Sequence, residues 1–161
     1  MPTVCRTGST GANRAEAVRQ AALFSLNVTV LRPEGWGLDP RVMADAKTRV
    51  EALGGSLRET DDIAGAYQNA HVVCAKAWGS LDYYGRFDEE AKAKESLRSD
   101  WVVDGDKMSR TDDGIFMHCL PVRRNIVVTD EVLDGKHSRV VQEAENRLWT
   151  AAAVLGALAP R

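Results

Sequence analysis

Cysteine is scarce in this chain: there are three in 161 residues, Cys5, Cys74 and Cys119, odd in number and widely spaced. That pattern excludes a disulfide framework and a zinc ligand set, and reduced thiols suit the cytosol, where the chain is expected. Long hydrophobic runs are lacking too. No stretch approaches the ~20 apolar residues that span a bilayer, and Met1 to Ser9 lacks the charged-then-apolar order of a signal peptide, so no membrane partner is expected. Excess charge of one sign is also missing, since 21 basic and 23 acidic residues leave a formal net charge of -2. With no basic block and no interleaving of aromatic and basic residues, nucleic acid is not an expected partner either. Internal repeats and low-complexity tracts are absent. Gly8 to Asn13 is glycine-rich, but it lacks the Gly-x-Gly-x-x-Gly spacing and the lysine of a phosphate loop, and it reads as a flexible start.

What is present is ordinary globular material, 44% hydrophobic and 27% charged, enough for one domain with a core. Asn27 to Leu31 is a short β-branched run closed by Pro33, Gly35 and Gly37, the punctuation of a strand entering a loop. Asp39-Pro40 can cap the next helix, in which Val42, Met43, Ala46, Val50 and Leu53 recur at helical spacing until Gly54-Gly55. Gly55 to Glu59 reads as a strand, and Thr60 to Asp62 can cap a short helix to about Ala66. Ala70 to Ala75 is the next strand, with Cys74 expected as a buried core thiol. Asp88 to Leu97 reads as an exposed helix, Trp101 to Val103 as a strand, Asp104 to Met108 as a short helix and Ile115 to His118 as a strand. Thr129-Asp130 caps a segment to Leu133, and Arg139 to Val141 reads as a final strand. Glu143 to Leu158 is the strongest helix, with Ala144, Leu148, Ala151, Ala152, Leu155 and Leu158 forming a stripe.

Strands alternating with helices predict an α/β fold, a doubly wound and mostly parallel sheet flanked by helices. Residues 1–26 stand apart. Met1 to Asn13 is rich in Thr, Gly and Ser, Arg14 to Leu26 looks helical, and no strand is evident. The reading is an atypical segment over 1–26 and a domain over 27–161 that begins in altered form or lacks its first strand.

The most informative stretch is His118 to Asn125. It sets a thiol, a proline-fixed turn and two guanidinium groups directly behind the apolar run Gly114 to Met117. A short apolar run breaking into polar groups at a proline reads as the carboxyl end of a buried strand, where open α/β sheets place their ligands. Ala75 to Ser80 follows another strand and so lies at the same sheet edge. A histidine ending a strand, such as His118, is more often a satisfied packing residue than a catalyst. Tyr83 to Phe87 reads as packing aromatics or a mobile flap.

The His118-Cys119-Leu120-Pro121 turn resembles the transcarbamylase family, whose amino-acid-binding half carries a His-Cys-Leu-Pro turn. The following Arg123-Arg124-Asn125 resembles the branch acting on N-acetylated ornithine. The likeness runs from about Val28 to the C-terminus and implies a Rossmann-like domain. In that family, backbone oxygens near the Cys-Leu pair hold the carbamoyl amino group and the acceptor's δ-amine, which would place Cys119 and Leu120 beside the reacting atoms. Pro121 would stiffen the turn, with His118 in a secondary binding role. Arg123 would lie near the acceptor's acyl or carboxylate end, and Arg124 would serve structure. Arg147, in Glu143 to Arg147, matches an arginine set against carbamoyl phosphate, although spacing alone favours an ion pair between Glu143 and Arg147.

Transcarbamylases that take free ornithine carry an Asp-x-x-x-Ser-Met-Gly loop whose aspartate answers the α-ammonium. The matching positions here are taken as Val73, Ala77, Trp78 and Gly79, so that anion is gone. An acylated α-nitrogen needs none, whereas the free α-carboxylate can use Lys76, with Trp78 beside it. Some acetylornithine-type members have a lysine where this chain has Val127, which leaves a succinylated acceptor or ornithine itself open. The resemblance implies no metal or organic cofactor, carbamoyl phosphate and N-acetylornithine as substrates, and a homotrimer in the full-length enzyme. The family's Ser-x-Arg-Thr and His-Pro-x-Gln motifs, which belong to its carbamoyl-phosphate half, do not occur. The isolated chain is therefore expected to be inactive or nearly so. A non-catalytic relic or amino-acid-binding domain is the second reading, and an unrelated dinucleotide-binding domain the third.

Overall fold

The computed structural model describes residues 2–7, 18, 22–76 and 79–159. Five strands form one sheet: β1 (Thr3–Thr7), β2 (Asn27–Leu31), β3 (Ser56–Thr60), β4 (Val72–Ala75) and β5 (Ile115–Met117). Their order is β3-β2-β1-β4-β5, and every pairing is parallel. The helices are α1 (Pro40–Ala52), α2 (Ile63–Tyr67), α3 (Phe87–Trp101), α4 (Gly105–Met108), α5 (Asp130–Leu133) and α6 (Val140–Leu158). This is the doubly wound α/β architecture that the alternation predicts.

The first strand, which the sequence left either altered or missing, is present at the centre of the sheet. Thr3 pairs with Asn27 and Val4 with Val28 on one side, while Val4 pairs with Val72 and Cys5 with Val73 on the other. Its sequence hid it, because only Val4 and Cys5 are apolar and no period can be read from two residues. Neighbouring strands bury them instead, to 6% and 0% exposure. The segment over 1–26 is thus not apart from the sheet. The helix expected from Arg14 lies mostly outside the described residues.

Alternation along the strands sorts apolar side chains into two clusters, one on each face of the sheet. In β2, Val28 and Val30 join Ala46 and Val50 of α1 together with Leu38 and Leu57. Leu31 joins the larger cluster of Tyr67, Val73, Phe116, Val128 and Leu133. The same alternation corrects the reading of Cys74: Val73 and Ala75 face the core, and Cys74 is only half-buried.

Caps set the element boundaries. Asp39 accepts from the Arg41 amide at 2.8 Å with Pro40 opening α1, and Asp62 accepts from the Gly65 amide at 3.0 Å to open α2. Gly114 leads into β5, where an added Cβ would lie 2.8 Å from the Ala70 carbonyl, so glycine lets β5 close on the turn before β4.

Two expected strands are reduced to single bridges. Trp101 ends α3 and Val103 bridges only Val128, while Ser138 bridges Phe116 and Val140 already belongs to α6. Both β-branched runs were overridden by longer helices, as weak strand propensity allows.

Candidate functional site

Strand order reverses direction between β1 and β4, and the crevice outside the carboxyl ends of strands at such a point is where open α/β sheets bind ligands. Lys76 is the first residue past β4, and His118 and Cys119 are the first two past β5. The fold brings them together: Lys76 Nζ donates to Cys119 Sγ at 2.9 Å in a half-buried setting.

His118 completes this corner in an unexpected way. It is 3% exposed, yet neither Nδ1 nor Nε2 has a hydrogen-bond partner. Burial, and after it the nearby Lys76 cation, push its pKa down to about 4, so the ring is neutral near pH 7. The satisfied histidine expected at a strand end is not what the fold contains. Leaving a buried polar group unpaired costs roughly 1–3 kcal/mol.

The chain then turns sharply. Leu120 has φ +34°, in the sparsely populated left-handed region, and the Leu120–Pro121 peptide bond is cis. Pro121, itself exposed, contributes no amide hydrogen, so the turn's carbonyls are not drawn into a helix.

Past the turn, Arg124 donates to Asp130 at 2.7 Å and to both carboxylate oxygens of Asp134 at 2.7 and 2.8 Å. Its guanidinium holds both carboxyls below their ordinary range. Asn125, at φ +56°, accepts from the Asp130 amide at 3.1 Å and donates to the Asp130 side chain at 2.8 Å. Asn125, not Thr129, therefore caps α5, and Thr129 Oγ1 is left buried without a partner. Arg124 and Asn125 brace the loop to α5, and Arg123 is held beside them.

Arg123 lines a cavity of about 350 Å³ with Trp36, Glu90, Lys94, Trp101 and Ile126. Sequence reasoning missed Glu90 because it sits in the run Asp88-Glu89-Glu90, which reads as a solvated helix face. Its carboxylate accepts from the Ser80 amide at 2.9 Å and pairs with Lys94 at 3.0 Å, tying the loop after β4 to α3. Burial opposes its ionisation, but Lys94, the Ser80 amide and the Arg123 charge more than offset that, and its pKa lies below the ordinary value. The aromatic run splits: Tyr83 packs on Trp36 with ring centroids 5.7 Å apart, whereas Tyr84 and Phe87 are exposed.

Other sequence readings fare less well. Val73, matched to the anion of the ornithine-type loop, is fully buried in the core, where a carboxylate would meet no ligand and no cation. The position at the strand's end is Lys76, so the charge argument stands on Lys76 alone. Trp78 lies outside the described residues. Arg147 is exposed on α6, in a shallow groove with Asn146, Thr150 and Val154, and forms no ion pair with Glu143. No contact joins it to the Lys76–Cys119 pair. Val127 is buried among the core residues and offers nothing to a ligand. Among the described residues there is no cluster of side chains suited to a metal ion, and no helix is long and apolar enough to cross a membrane.

The sheet and its flanking helices define a doubly wound α/β domain, and the reversal point, the lysine–thiol pair and the braced arginine loop mark its carboxyl edge as the candidate small-molecule site. Residues 7–158 match the model of the aspartate/ornithine carbamoyltransferase Asp/Orn binding domain, and the chain belongs to that family. It is 40% identical over 144 residues to an N-acetylornithine carbamoyltransferase from Xanthomonas axonopodis pv. citri, covering 89% of this chain and 42% of the relative. An ornithine carbamoyltransferase from Acidothermus cellulolyticus is 37% identical, with 85% and 43% covered. The crystal structure of an acetylornithine transcarbamylase complexed with acetylcitrulline superposes with a TM-score of 0.91 at 35% identity, over 99% of this chain and 50% of that one. The chain thus spans about two fifths of the length of its curated relatives.

Proposed function

We propose that this chain is the acceptor-binding half of a carbamoyltransferase that moves the carbamoyl group from carbamoyl phosphate to the δ-amine of N-acetyl-L-ornithine, a step of arginine biosynthesis in the cytosol. The observation that carries this reading is Lys76 at the carboxyl end of β4, where a cation and no carboxylate meets the ligand crevice. A free ornithine brings an α-ammonium that Lys76 repels. At its α-carbon an N-acylated ornithine carries only the carboxylate charge, which Lys76 attracts. Relatives named N-acetylornithine carbamoyltransferase, at 36–40% identity, and relatives named ornithine carbamoyltransferase, at 36–37%, overlap in identity, so the acceptor assignment rests on Lys76.

In this reading the Cys119 and Leu120 carbonyls, turned by the positive φ of Leu120, hold the reacting amines, and Arg123 answers the acceptor's acyl or carboxylate end. Pro121 keeps the turn rigid, and His118 has a secondary binding role. The exposed Arg147 reaches carbamoyl phosphate only when a carbamoyl-phosphate domain lies alongside α6, in a homotrimer of the longer protein. A guanidinium polarises a carbonyl while keeping its charge. The relic reading loses its main support, since β1 completes the sheet.

The test measures carbamoyl transfer to N-acetylornithine, N-succinylornithine and ornithine, with the chain alone and mixed with a carbamoyl-phosphate half from a relative. Turnover in the mixture only, and with an acylated acceptor only, is expected. Equal turnover with ornithine overturns the acceptor assignment. No turnover and no calorimetric binding of any acceptor by a folded chain returns the relic reading to the front.

A further inference from the structure

The 2.9 Å contact between Lys76 Nζ and Cys119 Sγ has chemistry of its own. It joins an amine to a sulfur between side chains 43 positions apart, just past two adjacent strands. Both are half-buried rather than sealed in the core, so a small oxidant such as a peroxide can reach them. His118, buried close to the Lys76 charge with both ring nitrogens unpaired, leaves this corner short of hydrogen-bond partners.

We propose that Cys119 and Lys76 form a reversible covalent modification site for peroxides, closing to a sulfur–nitrogen crosslink. In the first step the Cys119 thiolate attacks one peroxide oxygen. An S–O bond forms, the O–O bond breaks, and the departing hydroxide takes a proton from the Lys76 ammonium and leaves as water. Sulfur is oxidised by two electrons to a sulfenic acid, and the peroxide is reduced. In the second step the neutral Lys76 amine attacks the sulfenic sulfur. An N–S bond forms, the S–OH bond breaks, and the hydroxyl leaves with the amine proton as a second water. Sulfenic acids condense with nitrogen nucleophiles in this way, and thiols reverse the product. Cys5 has no such fate because it is fully buried in the sheet. Resting on the acceptor-site reading above, the crosslink consumes the cation that the acceptor carboxylate needs, so oxidation closes the site and thiol reopens it.

The test treats the whole folded chain with hydrogen peroxide and maps the products by mass spectrometry, a readout independent of any substrate. The expected product joins the peptides containing Lys76 and Cys119, is lighter than the reduced pair by two hydrogens, and disappears with dithiothreitol. In Lys76→Arg, whose guanidinium does not condense, a sulfenic acid at Cys119 trapped by a cyclic diketone is expected with no crosslink. The crosslink should also be lost when the unaltered chain is oxidised in denaturant, a control that stands if the variant misfolds. A Cys74–Cys119 disulfide, or Cys119 oxidised in the folded chain without joining Lys76, overturns the proposal and leaves the acceptor reading untouched.

Discussion

At the carboxyl edge of β4 and β5 the chain buries a polar side chain, His118, without a hydrogen-bond partner, whereas along α6 it exposes Leu148, Trp149, Leu155 and Leu158 to water. Each arrangement forgoes stability. An unsatisfied buried polar group costs roughly 1–3 kcal/mol, and each large apolar side chain left in water forgoes about 1.5–3 kcal/mol of burial. Their positions differ in meaning. The buried imbalance lies past β5, at the carboxyl edge that also carries the reversal between β1 and β4, where a small ligand can correct it. The exposed imbalance runs along a 19-residue helix and needs a surface of comparable length to cover it.

The largest effect that bears on this contrast comes from pH. His118 has its pKa depressed to about 4 in the folded state from 6.5, so the unfolded chain takes up the proton first as pH falls. The stability linked to it is fully present above 6.5 and is lost as pH drops toward about 4, a loss of up to about 3 kcal/mol. Urea unfolding between those limits should show this slope in the unaltered chain and not in His118→Leu. Equal slopes in both proteins would mean the ring is solvated and the buried imbalance is not real.

A smaller effect separates ligand chemistry from packing at the same corner. Lys76→Met removes the cation proposed to meet the acceptor carboxylate, and a charged hydrogen bond is worth about 1.5–3 kcal/mol, or roughly tenfold to a hundredfold in affinity. Calorimetry with N-acetylornithine should show that loss, while ornithine binding stays as weak as before or improves. If affinity for N-acetylornithine is unchanged, Lys76 serves only the thiol.

Arg124→Ala probes the brace behind the site and should do less. The ion pairs to Asp130 and Asp134 are exposed and screened by salt. Both carboxyls have depressed pKa values, so their contribution is present near pH 7 and is lost as the solution is acidified through their folded values. A small fall in melting temperature is expected that shrinks further at high salt, with the Lys76–Cys119 contact intact. A fall as large at high salt as at low would show that Arg124 acts by packing.

The contrast also explains what the sequence made legible. The strand β2, the capped helices α1 and α2 and the end of β5 were readable because each carries a local signal: a β-branched run, an Asp-Pro cap, a break at a proline. That Lys76 and Cys119 lie at strand ends on the same sheet edge followed from the same logic. The central strand was not readable, since Thr3 to Thr7 is apolar only at Val4 and Cys5 and owes its burial to neighbours on both sides. Glu90 was invisible for the same reason. Nothing in an acidic run says which carboxylate turns inward to a backbone amide, and only the folded approach of Ser80 selects it. Long-range contact, which no local pattern encodes, separates the two groups.

Substituting the exposed stripe should move stability least of all and association most. Leu155→Gln with Leu158→Gln replaces side chains that are 68% and 76% exposed by residues of similar helix propensity. Surface changes of this kind stay within about 0.5 kcal/mol, so the unfolding midpoint should hardly shift. The unaltered chain is expected to self-associate as its concentration rises, because a continuous apolar face gains by meeting its like, and the double variant should remain monomeric by light scattering. If the unaltered chain is monomeric at high concentration, the face is too broken by Thr150, Glu143 and Arg147 to act as one surface. The reading of α6 as the contact for a carbamoyl-phosphate half then fails with it. If instead the variant is monomeric yet still gains turnover on mixing with that half, α6 drives self-association alone and the two halves meet elsewhere.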